Sequence, residues 1–89
     1  MKPEHYDYIM IFTSHYKALY IYDRLIRRNI RVKLVSAPNK ISISCTQAIK
    51  FKEIDNEIIQ KELRKNNIYP ITVYRILKDG KNESYELVE

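Results

Sequence analysis

Arg31-Val32-Lys33-Leu34-Val35-Ser36-Ala37-Pro38-Asn39-Lys40-Ile41-Ser42-Ile43-Ser44-Cys45-Thr46-Gln47-Ala48-Ile49-Lys50-Phe51-Lys52 contains two strand-like runs with no helix between them. Arg31 to Val35 alternates polar and apolar residues and breaks at Ser36-Ala37-Pro38-Asn39, which reads as a strand leaving into a loop. From Cys45 to Lys52 the period of two returns. Cys45, Gln47, Ile49 and Phe51 share one face, and Thr46, Ala48, Lys50 and Lys52 the other. Two strands in direct succession, each with a helical pattern on its far side, decide how the chain folds.

On the N-terminal side, Ala18, Ile21, Tyr22, Leu25 and Ile26 recur at helical spacing from His15 to Asn29. Ser14 is placed to cap this helix. Lys17, Arg24, Arg27 and Arg28 fall mostly on the solvent side and in the last turns, where cations complement the helix dipole. Before it, Tyr8-Ile9-Met10-Ile11-Phe12 is a continuous apolar run that reads as a central strand. On the C-terminal side, Asp55 is placed to cap a second helix, with Ile54 and Ile59 as a hydrophobic staple across it. Ile58, Ile59, Glu62 and Leu63 form its inner edge, Lys61, Arg64 and Lys65 end it, and Asn66-Asn67 stops it. A fourth strand spans Ile71 to Leu77 after Pro70. Asp79-Gly80, with the only glycine of the chain, signals a hairpin. Tyr85-Glu86-Leu87-Val88 is then an edge strand or a tail.

The order β-α-β-β-α-β predicts an α+β fold, the ferredoxin-like sandwich of an antiparallel sheet with both helices on one face and an optional C-terminal edge strand. The expected strand order is four-one-three-two. In that order the loop over 36–44, the turn at 13–15 and the turn at 66–70 lie at one end of the sheet. The 89 residues make one domain, with its core over 7–77 and a hairpin or tail over 78–89.

Apolar residues make up 45% and charged residues 30%, a soluble globular mixture with no run near the length of a membrane span. The start has no apolar segment behind a basic end, so no secretory signal is expected. A single cysteine cannot close an internal disulfide, and with no export signal this points to the reducing cytoplasm. One cysteine, no Cys-x-x-Cys and no paired histidines give no expectation of a metal or other cofactor.

Cys45 is the residue through which the chain would do chemistry. A free cysteine is often a small buried hydrophobe. The expected topology instead starts its strand beside the end of the first strand, near the N-terminus of the first helix. A thiol there has its thiolate favoured by the positive end of the dipole. Backbone N–H groups at Ser14, His15 and Tyr16 are the donors at hand. His15 is placed as a proton acceptor near the thiol or, in the simpler reading, as an exposed first-turn residue.

With Phe12-Thr13-Ser14, Ala18-Leu19, Asn29 to Val35, Pro38 and above all Ile41-Ser42-Ile43-Ser44-Cys45, residues 7–77 resemble the Se/S carrier protein-like family of small bacterial domains. The last segment is similar to that family's Ile-Ser-Ser-Ser-Cys-Gly. Ile43 stands where a serine is typical and Thr46 where a glycine is typical. A β-branched threonine does not readily take the positive φ open to glycine. The resemblance implies a thiol carrier rather than an enzyme in its own right. Cys45 would take sulfur or selenium from a desulfurase-like donor protein, hold it as a persulfide or perselenide, and pass it to an acceptor protein. Ser42 and Ser44 would donate to the thiolate, and Lys40 would offset its charge.

Two other classes are compatible with the residues. A formal charge of +5 and eight tyrosines suit a basic RNA-binding module, although the third strand lacks the aromatic-and-glycine segment of RNA-recognition domains. An edge strand also suits a non-catalytic interaction or homodimerisation domain.

Overall fold

A computed structural model describes residues 5–38 and 47–88. Five strands and two helices follow in the order β1 (Tyr8–Phe12), α1 (His15–Arg27), β2 (Val32–Ser36), β3 (Gln47–Phe51), α2 (Asn56–Asn66), β4 (Thr72–Asp79) and β5 (Asn82–Val88). The strands form one sheet in the order β2-β3-β1-β4-β5, and every neighbouring pair is antiparallel. The fold is α+β.

Alternation in the strands divides the core in two. Met10 and Phe12 of β1, Val32 of β2, and Ile49 and Phe51 of β3 join Ala18, Ile21 and Leu25 of α1 and Ile59 and Leu63 of α2 in one buried cluster. Both helices therefore pack on the same face of the sheet. The intervening residues Ile9, Ile11 and Ala48 are buried on the opposite face, beneath Val35, Ala37, Tyr74, Ile76 and Tyr85. Fully burying each Ile, Leu or Phe contributes about 1.5–3 kcal/mol, so this double-sided β1–β3 pair is the centre of stability. Tyr8 stacks on Phe51 at a centroid distance of 5.4 Å, and the Arg75 guanidinium lies 5.4 Å over the Tyr8 ring.

Helix α1 begins as its sequence dictates. Ser14 has extended backbone angles, and its hydroxyl oxygen accepts the Lys17 N–H at 3.2 Å. Ala18, Ile21 and Leu25 recur at steps of three and four and bury one stripe, whereas Ile26 lies off that stripe and is exposed. Both helices end in the same way. Asn29 takes a φ of 60°, Ile30 N–H bonds the Leu25 carbonyl, and Asn29 N–H bonds the Ile26 carbonyl. At the end of α2, Asn67 takes a φ of 54°, Ile68 N–H bonds the Leu63 carbonyl, and Asn67 N–H bonds the Arg64 carbonyl. Each is a Schellman motif with asparagine in the left-handed position and an isoleucine turned back onto the core.

Entry into α2 departs from the sequence expectation. Residues Glu53–Asp55 form a 3-10 turn before the helix, and Asp55 makes no side-chain capping bond. The extra turn rotates Ile54 outward to 87% exposure, so no staple to Ile59 exists. Instead, the Asp7 carboxylate accepts the Glu53 N–H at 2.8 Å and ties this entry to the start of β1.

The C-terminal hairpin is longer than the alternation suggests. β4 and β5 pair from Val73–Val88 to Asp79–Asn82 around the two-residue loop Gly80-Lys81. Gly80 takes a φ of +62°, the conformation that a loop with glycine first requires. Residues 82–88 thus belong to the sheet as a strand and not to a tail.

The helix-free face carries a polar network on this hairpin. Glu83 lies 3.5 Å from Lys50 Nζ and 4.0 Å from Lys78 Nζ, and it accepts the Tyr85 hydroxyl at 3.0 Å. Burial, the hydrogen bond to Glu83 and that carboxylate's charge push the Tyr85 hydroxyl up to about 12. Unfolding returns it to about 10. Between these values the folded chain holds a proton that the unfolded chain has lost, so stability falls as pH rises from about 10 to about 12. Tyr85→Phe is expected to remove this component. Urea unfolding at about pH 9 and about pH 11, on either side of the unfolded value, should show a smaller alkaline loss for the variant.

Candidate thiol site and the arginine–glutamate cluster

Cys45, with Lys40, Ser42 and Ser44, lies outside the described residues, as does Thr46. The structure does define the frame around that segment. Gln47 opens β3, opposite Phe12 of β1 on one side and Ser36 of β2 on the other. Phe12 leads through Thr13 directly into Ser14 and the first turn of α1. Residues 37–46 therefore connect two strand ends at the end of the sheet from which α1 starts. Ala37, the first residue of that connection, packs with Ile9, Ile11 and Ala48 on the helix-free face.

Of the expected supporting residues, Ser14 and His15 are described. The Ser14 oxygen is committed as an acceptor to the Lys17 N–H, which leaves its hydroxyl proton as a donor. His15 is the exposed first residue of α1. Its backbone N–H and that of Tyr16 have no carbonyl of their own helix to bond, as at every helix start. The N-terminus of α1 thus presents donors and a positive dipole end at the same end of the sheet as Ser36 and Gln47.

A cluster of charge with a buried centre lies elsewhere, where the C-terminal ends of α1 and α2 meet. Glu62 is 1% exposed. Its Oε2 accepts Arg28 Nη1 at 2.7 Å, and its Oε1 accepts Arg24 Nε and Asn66 Nδ2, each at 3.3 Å. Burial alone would raise this carboxyl; hydrogen bonds from Arg28, Arg24 and Asn66 outweigh it and hold Glu62 below the usual carboxylate range. Glu62 is therefore ionised at neutral pH. Arg24, in the last turn of α1, and Arg28, which caps that helix, are four residues apart and would repel one another without it. Helical spacing puts Glu62 on the inner edge of α2 and the arginines largely on the solvent side. It does not join them, because spacing alone does not say which turn of α1 crosses which turn of α2.

Among the described residues no group of three or more His, Cys, Asp or Glu side chains is arranged to hold a metal ion. No helix among them is long and apolar enough to cross a membrane.

Residues 7–75 match the family model described as "Putative Se/S carrier protein-like". The chain belongs to this family. The match runs from the residue before β1 into β4, so the Se/S carrier-like unit comprises four strands and both helices, with segment 39–46 inside it. In this member of the Se/S carrier-like family, β5 lies beyond the matched residues. Neither the curated proteins nor the solved structures give a match.

Proposed function

We propose that this Se/S carrier-like protein carries sulfur or selenium on Cys45, moving it between a desulfurase-like donor protein and an acceptor protein in the cytoplasm. The observation that supports this most is the family match over 7–75, which encloses the only thiol of the chain. The fold is read as a ferredoxin-like sandwich extended by β5.

The transfer needs one good thiolate. Cys45 Sγ attacks the outer sulfur of a donor persulfide; the new S–S bond forms as the donor's own S–S bond breaks, and the donor cysteine leaves as a thiolate. An acceptor nucleophile then attacks the outer sulfur on Cys45, and Cys45 leaves as a thiolate. A formally neutral sulfur atom changes hands twice, with no net oxidation or reduction. Loading depends on the fraction of Cys45 present as thiolate, and delivery on how well Cys45 leaves as one. Lys40, Ser42, Ser44, Ser14 and the start of α1 are the groups of this chain suited to holding Cys45 as a thiolate in both steps, with His15 as a proton acceptor. Having no second cysteine, the chain cannot resolve the persulfide into an internal disulfide.

Incubation with a cysteine desulfurase and cysteine is expected to add one sulfur atom to the peptide that contains Cys45, and nothing to Cys45→Ser. The thiol should alkylate at neutral pH faster than free cysteine. Thr46→Gly, which restores the family's typical residue, should load faster than the natural chain. A Cys45 that gains no sulfur and alkylates no faster than free cysteine would overturn the proposal.

A further inference from the structure

A cleft of about 330 Å³ opens above Glu62, lined by Arg24, Arg27, Arg28, Glu62 and Lys65. Four cations and one carboxylate thus line it, and that carboxylate lies beneath the Arg24 and Arg28 guanidiniums with both of its oxygens already bonded. We propose that this cleft is a binding site for phosphate groups, independent of the thiol chemistry proposed for Cys45.

Three features support it. First, the arginines are pre-arranged. Each guanidinium carries five N–H donors in a fixed fork, and the bonds to Glu62 use one from Arg24 and one from Arg28. Their side chains remain 39% and 45% exposed, so further donors face the opening. Holding long side chains in place before the ligand arrives removes much of the ordering cost of binding. Second, charge is available at the rim. Arg27 contacts Asp23 at 2.9 Å, but both side chains are exposed, at 75% and 58%, and such a surface pair is weak enough to yield to a better anion. Lys65 adds a flexible cation from α2. Third, the geometry suits a compact, multiply charged anion. Planar guanidinium forks match phosphate oxygens two at a time, and the volume fits a small group.

Cations also collect at helix C-termini simply to complement the dipole. That effect requires proximity to the last carbonyls and nothing more. Here Arg24 and Arg28 converge on a carboxylate of the other helix, which builds a concave cationic site between two elements.

Two sources supply the same chemistry: free phosphate compounds and the backbone of a nucleic acid. NMR titration of the full chain with inorganic phosphate, with a single-stranded RNA oligonucleotide and with poly-glutamate separates them. The expected result is movement of the Arg24 and Arg28 Nε–H signals by phosphate, by RNA or by both, abolished in Arg27→Glu/Lys65→Glu. Those two residues do not bond Glu62, and an unchanged thermal melt confirms that the variant is folded. If RNA is the stronger ligand, its affinity should fall with salt, and Arg27→Ala/Lys65→Ala should flatten the log–log slope by about 1.4, at ~0.7 for each phosphate no longer neutralised. Phosphate alone moving the signals identifies a small-molecule site. Poly-glutamate binding as tightly as RNA would overturn the proposal in favour of an acidic protein partner, and no movement with any probe would overturn it outright. Sulfur loading of Cys45 should be the same in the charge-reversed variant, so failure of one proposal leaves the other standing.

Discussion

The double variant Arg24→Ala/Arg28→Ala is expected to lose about 1.5–3 kcal/mol of folding stability, the worth of hydrogen bonds to a charged group that water entering the opened cleft replaces only in part. That is a large part of the ~5–15 kcal/mol that a small domain possesses. The reason is an asymmetry in burial. Glu62 is 1% exposed, whereas Arg24 and Arg28 are 39% and 45% exposed. Deleting both arginines opens the cleft onto the carboxylate and leaves it, among the described residues, with Asn66 as its side-chain donor. Deleting the carboxylate frees two guanidiniums that can turn to water. Glu62→Met should therefore cost no more than about 1.5 kcal/mol, because a buried charge is replaced by an apolar group of similar length. Urea unfolding of the three proteins at neutral pH reads this order directly; equal losses would show that the cluster acts as an ordinary surface pair.

Acid provides a second reading of the same cluster. In the natural chain Glu62 titrates below the usual carboxylate range, so its contribution is present above that range and disappears only as pH falls through the lowered value. In the double variant the bonds that lower Glu62 are gone, so that contribution is absent at every pH. Lowering the pH below about 4 should therefore narrow the gap between variant and natural chain.

Legibility of the fold in the sequence follows the strength of each local pattern. Ile9 to Phe12 is apolar at every position and buried on both faces, so the first strand is readable from its short continuous apolar run, and β3 beside it from its alternation of Gln47, Ile49 and Phe51 with Ala48 and Lys50. Ser14 is readable as a cap because hydroxyl acceptors at helix starts are a local device, complete within three residues. Ile54 escapes the pattern because the staple assumes direct entry into a helix, and the 3-10 turn at Glu53–Asp55 adds a rotation that no side-chain pattern announces. Asn82-Glu83-Ser84 fall outside the strand read at Tyr85 to Val88 because they carry no apolar alternation; their strand arises from pairing with Leu77, Lys78 and Asp79 across the hairpin. The Arg24–Glu62–Arg28 cluster is the least legible, since it depends on how two helices cross. For the proposed thiol site, the residue types nominate Cys45 and its neighbours as candidates, and the sheet supplies the positions of Ser36, Gln47 and Phe12 on either side of their segment.

That frame makes Phe12 the core residue with the most direct bearing on the proposed chemistry. Phe12 is 2% exposed, closes β1, pairs with Gln47 at the start of β3, and shares its buried cluster with Ala18 and Ile21 of α1. Phe12→Ala should cost about 3–5 kcal/mol through the transfer energy forfeited and the cavity left behind. In a domain of this size that lowers the melting temperature by ~12 °C or more, at ~4–8 °C per kcal/mol. Phe51→Ala is the informative comparison. Phe51 is 1% exposed and lies at the other end of the same strand pair, opposite Tyr8. The two variants should lose similar stability, yet only Phe12→Ala opens a cavity beneath the start of α1 and beside the point where the chain re-enters the sheet at Gln47. Hydrogen exchange should accordingly quicken over 13–18 in Phe12→Ala and over 53–60 in Phe51→Ala, where α2 and its entry turn adjoin that end. If Cys45 draws its reactivity from the N-terminus of α1, its alkylation under folded conditions should slow toward that of free cysteine in the first variant and be unchanged in the second. Equal alkylation in both would separate the thiol from the helix and leave Lys40, Ser42 and Ser44 as its support.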